Sequence, residues 1–270
     1  MEGSPMVSVI TPTYNSLAYV ETAIRSVIAQ TFSDWELLIV DDCSTDGTLE
    51  TVQRISQEDS RIRVLRMNVN SGAGPARTVA LENAQGRLVA YLDADDVWLP
   101  NKLERQVSFM LENRCGFSCA SYEVIDDGGR TLDKRIKMLP KVDYVGFLTN
   151  NLLQTVGIMV DTELVDKRLL RMPTLKRRQD AATWLQILKS GHINYGMQEV
   201  LCQYRRTNSS LSSKKLSAIK GVWHLYRDIE GLPLTFSCYC FVRYALLAVW
   251  KRLYLKRTVS AAIKWPQKEA

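Results

Sequence analysis

Residues 36–47 read ELLIVDDCSTDG. Residues 36–40 form a nearly continuous apolar run, which is typical of a strand covered on both faces in a parallel sheet. Asp41 and Asp42 follow where such a strand ends. Because parallel α/β sheets bind ligands beyond the carboxyl ends of their strands, the segment predicts a buried strand that presents acidic side chains to a ligand.

Three similar runs lie around this one, at residues 7–11, 62–65 and 88–92. Apolar residues recur at helical spacing between them, as in residues 23–28 and 76–84. Strands and helices that alternate about every thirty residues predict an α/β fold with a mostly parallel sheet.

The pattern changes beyond Pro100. We predict a helix over residues 102–113, a strand over 117–124, a hairpin turn at 126–129, a strand over 155–160 and a helix over 179–190. Residues 130–150 fit no single pattern. No repeat or low-complexity linker divides the chain, so we expect one continuous unit.

The chain has 270 residues, 46% apolar and 24% charged, with a net charge of +6. This composition excludes a disordered tail, a collagen and a disulfide mini-scaffold. Residues 1–199 hold 22 basic and 26 acidic side chains, whereas residues 200–270 hold 13 and 3. The basic C-terminal quarter indicates an anionic partner, either nucleic acid or an acidic membrane surface.

Six cysteines without zinc-like pairs or framework spacing, and only two histidines, disfavour a four-ligand zinc site. Free thiols are typical of a reducing compartment. Residues 1–6 are short and polar, unlike a signal peptide. We therefore expect a cytoplasmic protein.

Two carboxylates, Asp93 and Asp95, stand two positions apart just after the apolar run 88–92. Mg²⁺ and Mn²⁺ bind one or two carboxylates and complete their shells with water and phosphate oxygens. A solvated turn would have the same sequence. The second acidic strand end, at Asp41 and Asp42, favours a cation site, because so many neighbouring carboxylates repel one another.

Three motifs occur in order: VSVITPTYN at residues 7–15, IVDDCSTDGT at 39–48 and YLDADD at 91–96. Together they resemble family 2 glycosyltransferases of the GT-A fold, and most of all the bacterial enzymes of teichuronic acid, capsule and O-antigen assembly. The sequence similarity is strong over residues 6–110, weaker from there to about residue 212, and weak beyond it.

The resemblance implies a GT-A catalytic domain over residues 1–212. Residues 6–98 would be the half that binds a nucleotide-sugar, and residues 99–212 the half that binds the acceptor. Residues 213–270 would form a basic helical C-terminal region.

The resemblance also implies a base pocket for a sugar-nucleotide donor. Pro12 matches its backbone part and Tyr14 its stacking ring. Asp42 matches the carboxylate that reads the base, which favours UDP as the nucleotide. Asp41 could take this role instead, because the two aspartates are adjacent.

Four further residues match the part of the family site that holds the rest of the donor. Arg77 matches a basic residue near the base and phosphates, and Asp93 the ribose contact. Asp95, together with Asp93, matches the ligands of Mn²⁺ or Mg²⁺. Arg205 matches more loosely a segment that folds over the donor, where it would meet the diphosphate.

Inversion at the anomeric carbon is implied as well, and it needs a general base for the acceptor hydroxyl. Asp180 occupies the family position of this base, at the start of a helix. Gln179 departs from the pattern, which has Glu there. Trp184 on the same helix could stack on the acceptor or pack in the core.

Residues 232–255 read LPLTFSCYCFVRYALLAVWKRLYL, and the uninterrupted apolar part before Arg243 is too short to span a bilayer. Basic residues with interfacial aromatics favour a helix over residues 232–257 that lies on an anionic membrane surface. A core or dimer helix is the alternative, and the oligomeric state stays open. The implied acceptor is a lipid-linked glycan, which predicts a peripheral location on the inner face of the bacterial inner membrane.

Two other functions compete with this one. A dinucleotide-dependent dehydrogenase needs G-x-G-x-x-G between a strand and a helix, but residues 72–77 have only the first two glycines, and Pro75 lacks a backbone donor. A nucleic-acid binder would use the basic C-terminus but would leave the acidic strand ends unexplained. We therefore expect no nucleic acid among the partners.

Overall fold

The computed structural model describes residues 4–175, 177–206 and 215–261. The strands in these ranges are β1 (Val7–Thr13), β2 (Trp35–Asp41), β3 (Ile62–Arg66), β4 (Leu88–Tyr91), β5 (Val97–Trp98), β6 (Phe117–Ile125), β7 (Thr131–Ile136), β8 (Lys141–Val142), β9 (Ile158–Asp161) and β10 (Asn194–Arg205). The α-helices are α1 (Val20–Ile28), α2 (Thr48–Ser56), α3 (Ala73–Asn83), α4 (Lys102–Glu112), α5 (Tyr144–Thr149), α6 (Gln179–Lys189), α7 (Lys215–His224) and α8 (Leu234–Ala261).

The strands form one sheet, whose main path runs β3-β2-β1-β4-β9-β6-β10-β5. The first four strands of this path are parallel, β9 is antiparallel to both neighbours, and β6 and β10 are parallel again. The predicted mostly parallel α/β fold is confirmed. Its antiparallel pairs all involve strands of the second half of the path.

The core lies on both faces of the central strands, since every residue of β1, β2 and β4 is buried. Trp184 of α6 is fully buried, with its ring centre 5.2 Å from that of Tyr91 and 5.9 Å from that of Phe117. Of the two roles left open for Trp184, core packing is the one observed. These contacts hold the middle of α6 against β4 and β6.

Two features of the second half differ from the sequence prediction. Thr155–Gly157 form a 3₁₀ turn and the strand begins only at Ile158, because Gly157 lies so close to β6 that a Cβ there would be 2.6 Å from the Ala120 carbonyl oxygen. The 12-residue strand β10 was not predicted. Its two register shifts, between Met197 and Val200 and between Val200 and Cys202, break the alternation of apolar and polar residues.

The C-terminal helices pack on the second half of the sheet domain. A π-helical turn, Leu225–Ile229, follows α7, and the Tyr226 hydroxyl donates to the Leu148 carbonyl oxygen. The Glu230 carboxylate accepts from the Tyr144 hydroxyl at 2.6 Å and from Lys189 Nζ at 3.3 Å. The predicted domain boundary at residue 212 lies outside the described residues.

Candidate active site

The candidate site lies at the carboxyl ends of β1, β2 and β4. The last bond between β1 and β4 runs from the Leu92 N–H to the Ile10 carbonyl oxygen at 3.0 Å. The next bond would need an N–H at residue 12, and Pro12 has none. The pairing of the two strands therefore ends at Pro12, beside the loop that follows β4 and carries Asp93, Asp95 and Asp96, here called the acidic loop.

Tyr14 follows β1 and is 51% exposed. The next residue, Asn15, has a left-handed φ of 46°, and its side-chain oxygen accepts from the Thr45 N–H at 2.9 Å. The Asn15 N–H donates to Ser44 Oγ at 3.0 Å. These bonds join the loops after β1 and β2 and leave the Tyr14 ring at the surface, where it can stack on a planar base.

The two aspartates at the end of β2 have different partners. The Asp42 carboxylate accepts from the backbone N–H groups of Ser71 and Gly72 at 2.8 and 2.7 Å, so it orders the loop before α3. Asp41 accepts from the Ser44 N–H at 3.1 Å, and its Oδ1 is buried without a hydrogen-bond partner among the described residues. Both aspartates can accept a further bond, so both stay candidates for reading the base.

Arg77 of α3 is 5% exposed and forms an ion pair with Asp93. Burial lowers the pKa of Arg77, but the charge of Asp93 and then that of Asp180 outweigh it and raise the pKa above its ordinary value. Its Nε is buried without a partner among the described residues. Arg77 therefore joins the acidic loop electrostatically to the predicted base.

The carboxylates of Asp93, Asp95 and Asp96 in the acidic loop affect one another electrostatically. Burial, and then the charge of Asp93, raise the pKa of Asp95 to about 6. Burial and the charges of Asp95 and Asp93 raise the pKa of Asp96 well above its ordinary value. Asp96 is buried, and its carboxylate accepts from the Arg205 N–H at 2.8 Å.

Hard oxygen donors of this kind fit Mg²⁺ or Mn²⁺. No three His, Cys, Asp or Glu side chains converge as a metal-binding group within residues 4–175, 177–206 and 215–261. A cation here would therefore take one or two carboxylates and further oxygens from a ligand. Asp95 fits best, because Asp93 is already paired with Arg77.

Arg205, at the end of β10, is 4% exposed and has partners other than the predicted diphosphate. Its Nε donates to the Asp95 carbonyl oxygen at 2.7 Å, and its Nη1 donates to the carbonyl oxygens of Asp126 and Asp127 at 2.9 and 3.1 Å. Its guanidinium carbon lies 4.9 Å from the ring centre of Tyr19. Whether it also meets a diphosphate stays a prediction.

Asp180 is half-buried in the first turn of α6, where its carboxylate accepts from Thr155 Oγ1 at 3.3 Å. The Gln179 side chain packs on the start of α3, since a Cβ at Gly74 would lie 3.3 Å from Gln179 Cγ. The sequence predicts the turn at residues 126–129 but does not mark its carbonyl oxygens, Thr155 or Tyr19 as site groups. No motif marks them, because the fold alone brings them to the site.

Comparisons with known proteins agree with this geometry. The sequence matches the Glycosyl transferase family 2 over residues 8–171, more than half of the chain. TuaG of Bacillus subtilis (strain 168), whose name refers to teichuronic acid biosynthesis, is 46% identical over 249 residues, which cover 92% of this chain and 98% of TuaG. WfgD of Escherichia coli, named UDP-Glc:alpha-D-GlcNAc-diphosphoundecaprenol beta-1,3-glucosyltransferase, is 35% identical over 92% of this chain and 96% of its own.

Two solved structures share the fold. TarS of S. aureus in complex with UDP-GlcNAc has a TM-score of 0.67 and 20% identity, covering 88% of this chain and 71% of that one. The mannosyltransferase PcManGT of Pyrobaculum calidifontis, in complex with GDP-Man and Mn²⁺, has a TM-score of 0.68 and 19% identity, covering 98% and 78%.

The sheet and its structural neighbours define a GT-A fold with a C-terminal helical extension, as the sequence predicted. The chain belongs to glycosyl transferase family 2, and the protein is a glycosyltransferase.

Proposed function

We propose that this protein is an inverting, divalent-cation-dependent glycosyltransferase that moves a sugar from a UDP-sugar to a hydroxyl of a lipid-linked surface polysaccharide precursor. The observation that carries the proposal is the position of Arg77. Its guanidinium pairs with Asp93 and is within the electrostatic reach of Asp180, so the acidic loop and the predicted base lie near the same arginine.

The strand-end loops offer a group for each part of a nucleotide-sugar. Tyr14 offers an exposed ring for the base, and Asp42 or Asp41 a carboxylate for its N–H. Asp93 suits the ribose, and Asp95 suits a Mn²⁺ or Mg²⁺ ion beside the diphosphate. The relatives support this assignment, since WfgD is named for a UDP-glucose donor and TarS was solved with UDP-GlcNAc.

In the proposed reaction, the acceptor oxygen bonds to the anomeric carbon as the bond from that carbon to the diphosphate oxygen breaks. Asp180 accepts the proton of the acceptor hydroxyl, and UDP leaves with the bonding electron pair. A bound cation supplies positive charge that stabilises the leaving diphosphate. Thr155 donates a hydrogen bond to the Asp180 carboxylate, and the Arg77 guanidinium lies within electrostatic reach of it.

We propose a peripheral position on the cytoplasmic face of the bacterial inner membrane. Within the described residues, no helix is long and apolar enough to cross a membrane. Tyr239, Val242 and Leu246 lie on one face of α8 and are 49%, 55% and 65% exposed. In the sequence, the basic residues Lys251, Arg252, Lys256 and Arg257 come after this segment, and their positive charge favours an anionic surface.

The donor assignment is tested by calorimetry with UDP, GDP, dTDP and NAD, each with Mn²⁺ or with EDTA. We expect UDP to bind at least tenfold more tightly with Mn²⁺ than without it, and NAD not to bind. A panel of UDP-sugars with a lipid-linked acceptor then identifies the transferred sugar. Equal binding of UDP with and without metal would contradict the cation assignment.

The membrane assignment is tested by sedimentation with vesicles of phosphatidylglycerol or phosphatidylcholine. We expect the full chain to bind the anionic vesicles. Replacing Val242 and Leu246 together by serine should weaken this binding at least fivefold, whereas Leu132→Ser on the exposed strand β7 should not. Equal binding of the two vesicle types would contradict an electrostatic contact.

A further inference from the structure

Arg178 stands two residues before the proposed base and caps the start of α6. Its φ of 64° and ψ of 16° are left-handed. This conformation costs a residue with a side chain about 1–2 kcal/mol, and glycine would adopt it without strain. An arginine at this position therefore points to a role for the side chain.

The Arg178 side chain runs along α7. A Cβ added at Gly221 would lie 3.7 Å from Arg178 Cγ and 3.8 Å from its Nε, which are ordinary van der Waals distances, so the arginine stem packs beside α7 at this residue. Burial raises the pKa of the nearby Tyr226 phenol, and the positive charge of Arg178 opposes that rise. The guanidinium therefore lies between the start of α6 and the C-terminal helices.

The charge of Arg178 is not neutralised within the part of the chain that the structure describes. Several arginines of the domain have ion pairs, as Arg77 has with Asp93, and Arg87 with Asp161 at 2.7 Å. No such pair and no side-chain hydrogen bond forms at Arg178 among residues 4–175, 177–206 and 215–261. The half-buried guanidinium is thus a cation open to an anionic ligand.

We propose that Arg178 binds the diphosphate of a lipid-linked sugar acceptor. The inference rests on the proposed function, in which Asp180 receives the proton of the acceptor hydroxyl. In a sugar diphosphate, the attacking hydroxyl and the phosphate group belong to the same ring, so a cation one ring away from Asp180 meets the phosphate. Arg178 stands two residues before Asp180 at the start of α6, and α7 beside it precedes α8, the proposed membrane-facing helix.

Binding is measured by calorimetry with the full chain saturated with UDP and Mn²⁺, so that no transfer occurs. One probe is N-acetylglucosaminyl diphosphate with a short prenyl tail, and the other is the uncharged octyl glycoside of the same sugar. We expect the wild type to bind the diphosphate probe at least tenfold more tightly. Arg178→Gln and Arg178→Gly should lose this preference and keep the affinity for the octyl glycoside.

Arg178→Gly separates binding from structure, because it removes the backbone strain together with the charge. We expect this variant to unfold at a temperature equal to or higher than that of the wild type, although its diphosphate affinity is lost. Arg168→Gln, which changes an exposed arginine paired with Asp166, is the control and should behave as wild type.

Three results would overturn the inference. In the first, Arg178→Gln loses affinity for both probes equally. In the second, the wild type binds the charged probe no more tightly than the uncharged one. In the third, the wild type does not bind the diphosphate probe. Failure of the proposed function would be visible separately, as the absence of UDP–Mn²⁺ binding in the preceding titration.

Discussion

The Nε–H of Arg205 donates a hydrogen bond of 2.7 Å to the carbonyl oxygen of Asp95, 110 positions away in the chain. The same guanidinium binds the carbonyl oxygens of Asp126 and Asp127 in the turn between β6 and β7. One buried side chain therefore holds the acidic loop against a hairpin of the second half of the domain.

Arg205→Met should loosen this connection, because three carbonyl oxygens lose their donor. We expect the free energy of unfolding to fall by about 2–4 kcal/mol and the affinity for UDP–Mn²⁺ to fall with it. Arg205→Lys should keep only part of the wild-type stability and of the UDP–Mn²⁺ affinity, since an ammonium lacks the planar fork of donors. Urea unfolding and calorimetry measure both, with Arg105→Met, a surface arginine paired with Glu199, as the control. Unchanged stability in Arg205→Met would show that these bonds contribute little.

Asp180→Asn should lower kcat by on the order of 10²–10⁴, the usual effect of losing a general base. The affinity for UDP–Mn²⁺ should stay within about twofold, because the substitution keeps the size of the side chain and its acceptor oxygen toward Thr155. Steady-state kinetics with calorimetry separates the two effects. Asp166→Asn, at an exposed ion pair, is the matched control. Turnover within a few-fold of wild type in Asp180→Asn would exclude it as the base.

Asp95→Asn should weaken UDP binding at least tenfold when Mn²⁺ is present and leave it unchanged in EDTA. In EDTA the variant should also unfold at a higher temperature than the wild type, because one of three crowded carboxylates becomes neutral. Calorimetry and thermal unfolding in both buffers measure this. Asp133→Asn on the exposed strand β7 should change neither. A loss of UDP affinity in EDTA would mean that Asp95 contacts the nucleotide itself.

Lys102 is fully buried above Trp98, with Nζ 3.6 Å from the ring centre, and burial lowers its pKa from 10.5 to about 8. Between pH 8 and 10.5 the unfolded chain binds this proton and the folded chain does not, so the free energy of unfolding should rise with pH across this window. At pH 7 the buried charge is destabilising, and Lys102→Met should raise the free energy of unfolding by about 2 kcal/mol. Urea unfolding from pH 7 to pH 10.5 should show the rise in the wild type and a flatter curve in the variant. A lower stability of Lys102→Met at pH 7 would show that the contact with Trp98 outweighs the cost of burial.

Cys43 lies between the two strand-end aspartates and Ser44, with a left-handed φ of 64°. Cys43→Gly should relieve about 1 kcal/mol of backbone strain and raise the melting temperature by roughly 2 °C. Cys43→Ala keeps the strain and loses the thiol contact with the Met67 carbonyl oxygen, so it should not gain stability. Calorimetric melting measures both, and an equal gain in the two variants would contradict the strain argument.

The four parallel strands were predictable because their apolar runs are local and buried on both faces, as in residues 36–40. The motif around Asp93 and Asp95 and the position of Asp180 could also be found in the sequence, since each falls where an element ends or begins. β10 could not, because its register shifts remove the periodicity. The turn at 155–157 depends on how closely Gly157 approaches β6, which no local pattern contains.

The sequence by itself determined a parallel α/β domain of a glycosyltransferase family with carboxylates at its strand ends, because strand periods and motif order are properties of neighbouring residues. Only the tertiary structure decided which partners each charged side chain contacts. It pairs Arg77 with Asp93, buries Arg205 against backbone carbonyls and leaves Arg178 without an ion pair among the described residues. The physical reason is that partners in a charge network come from elements far apart in the chain, and packing of the sheet and its helices alone sets their distances.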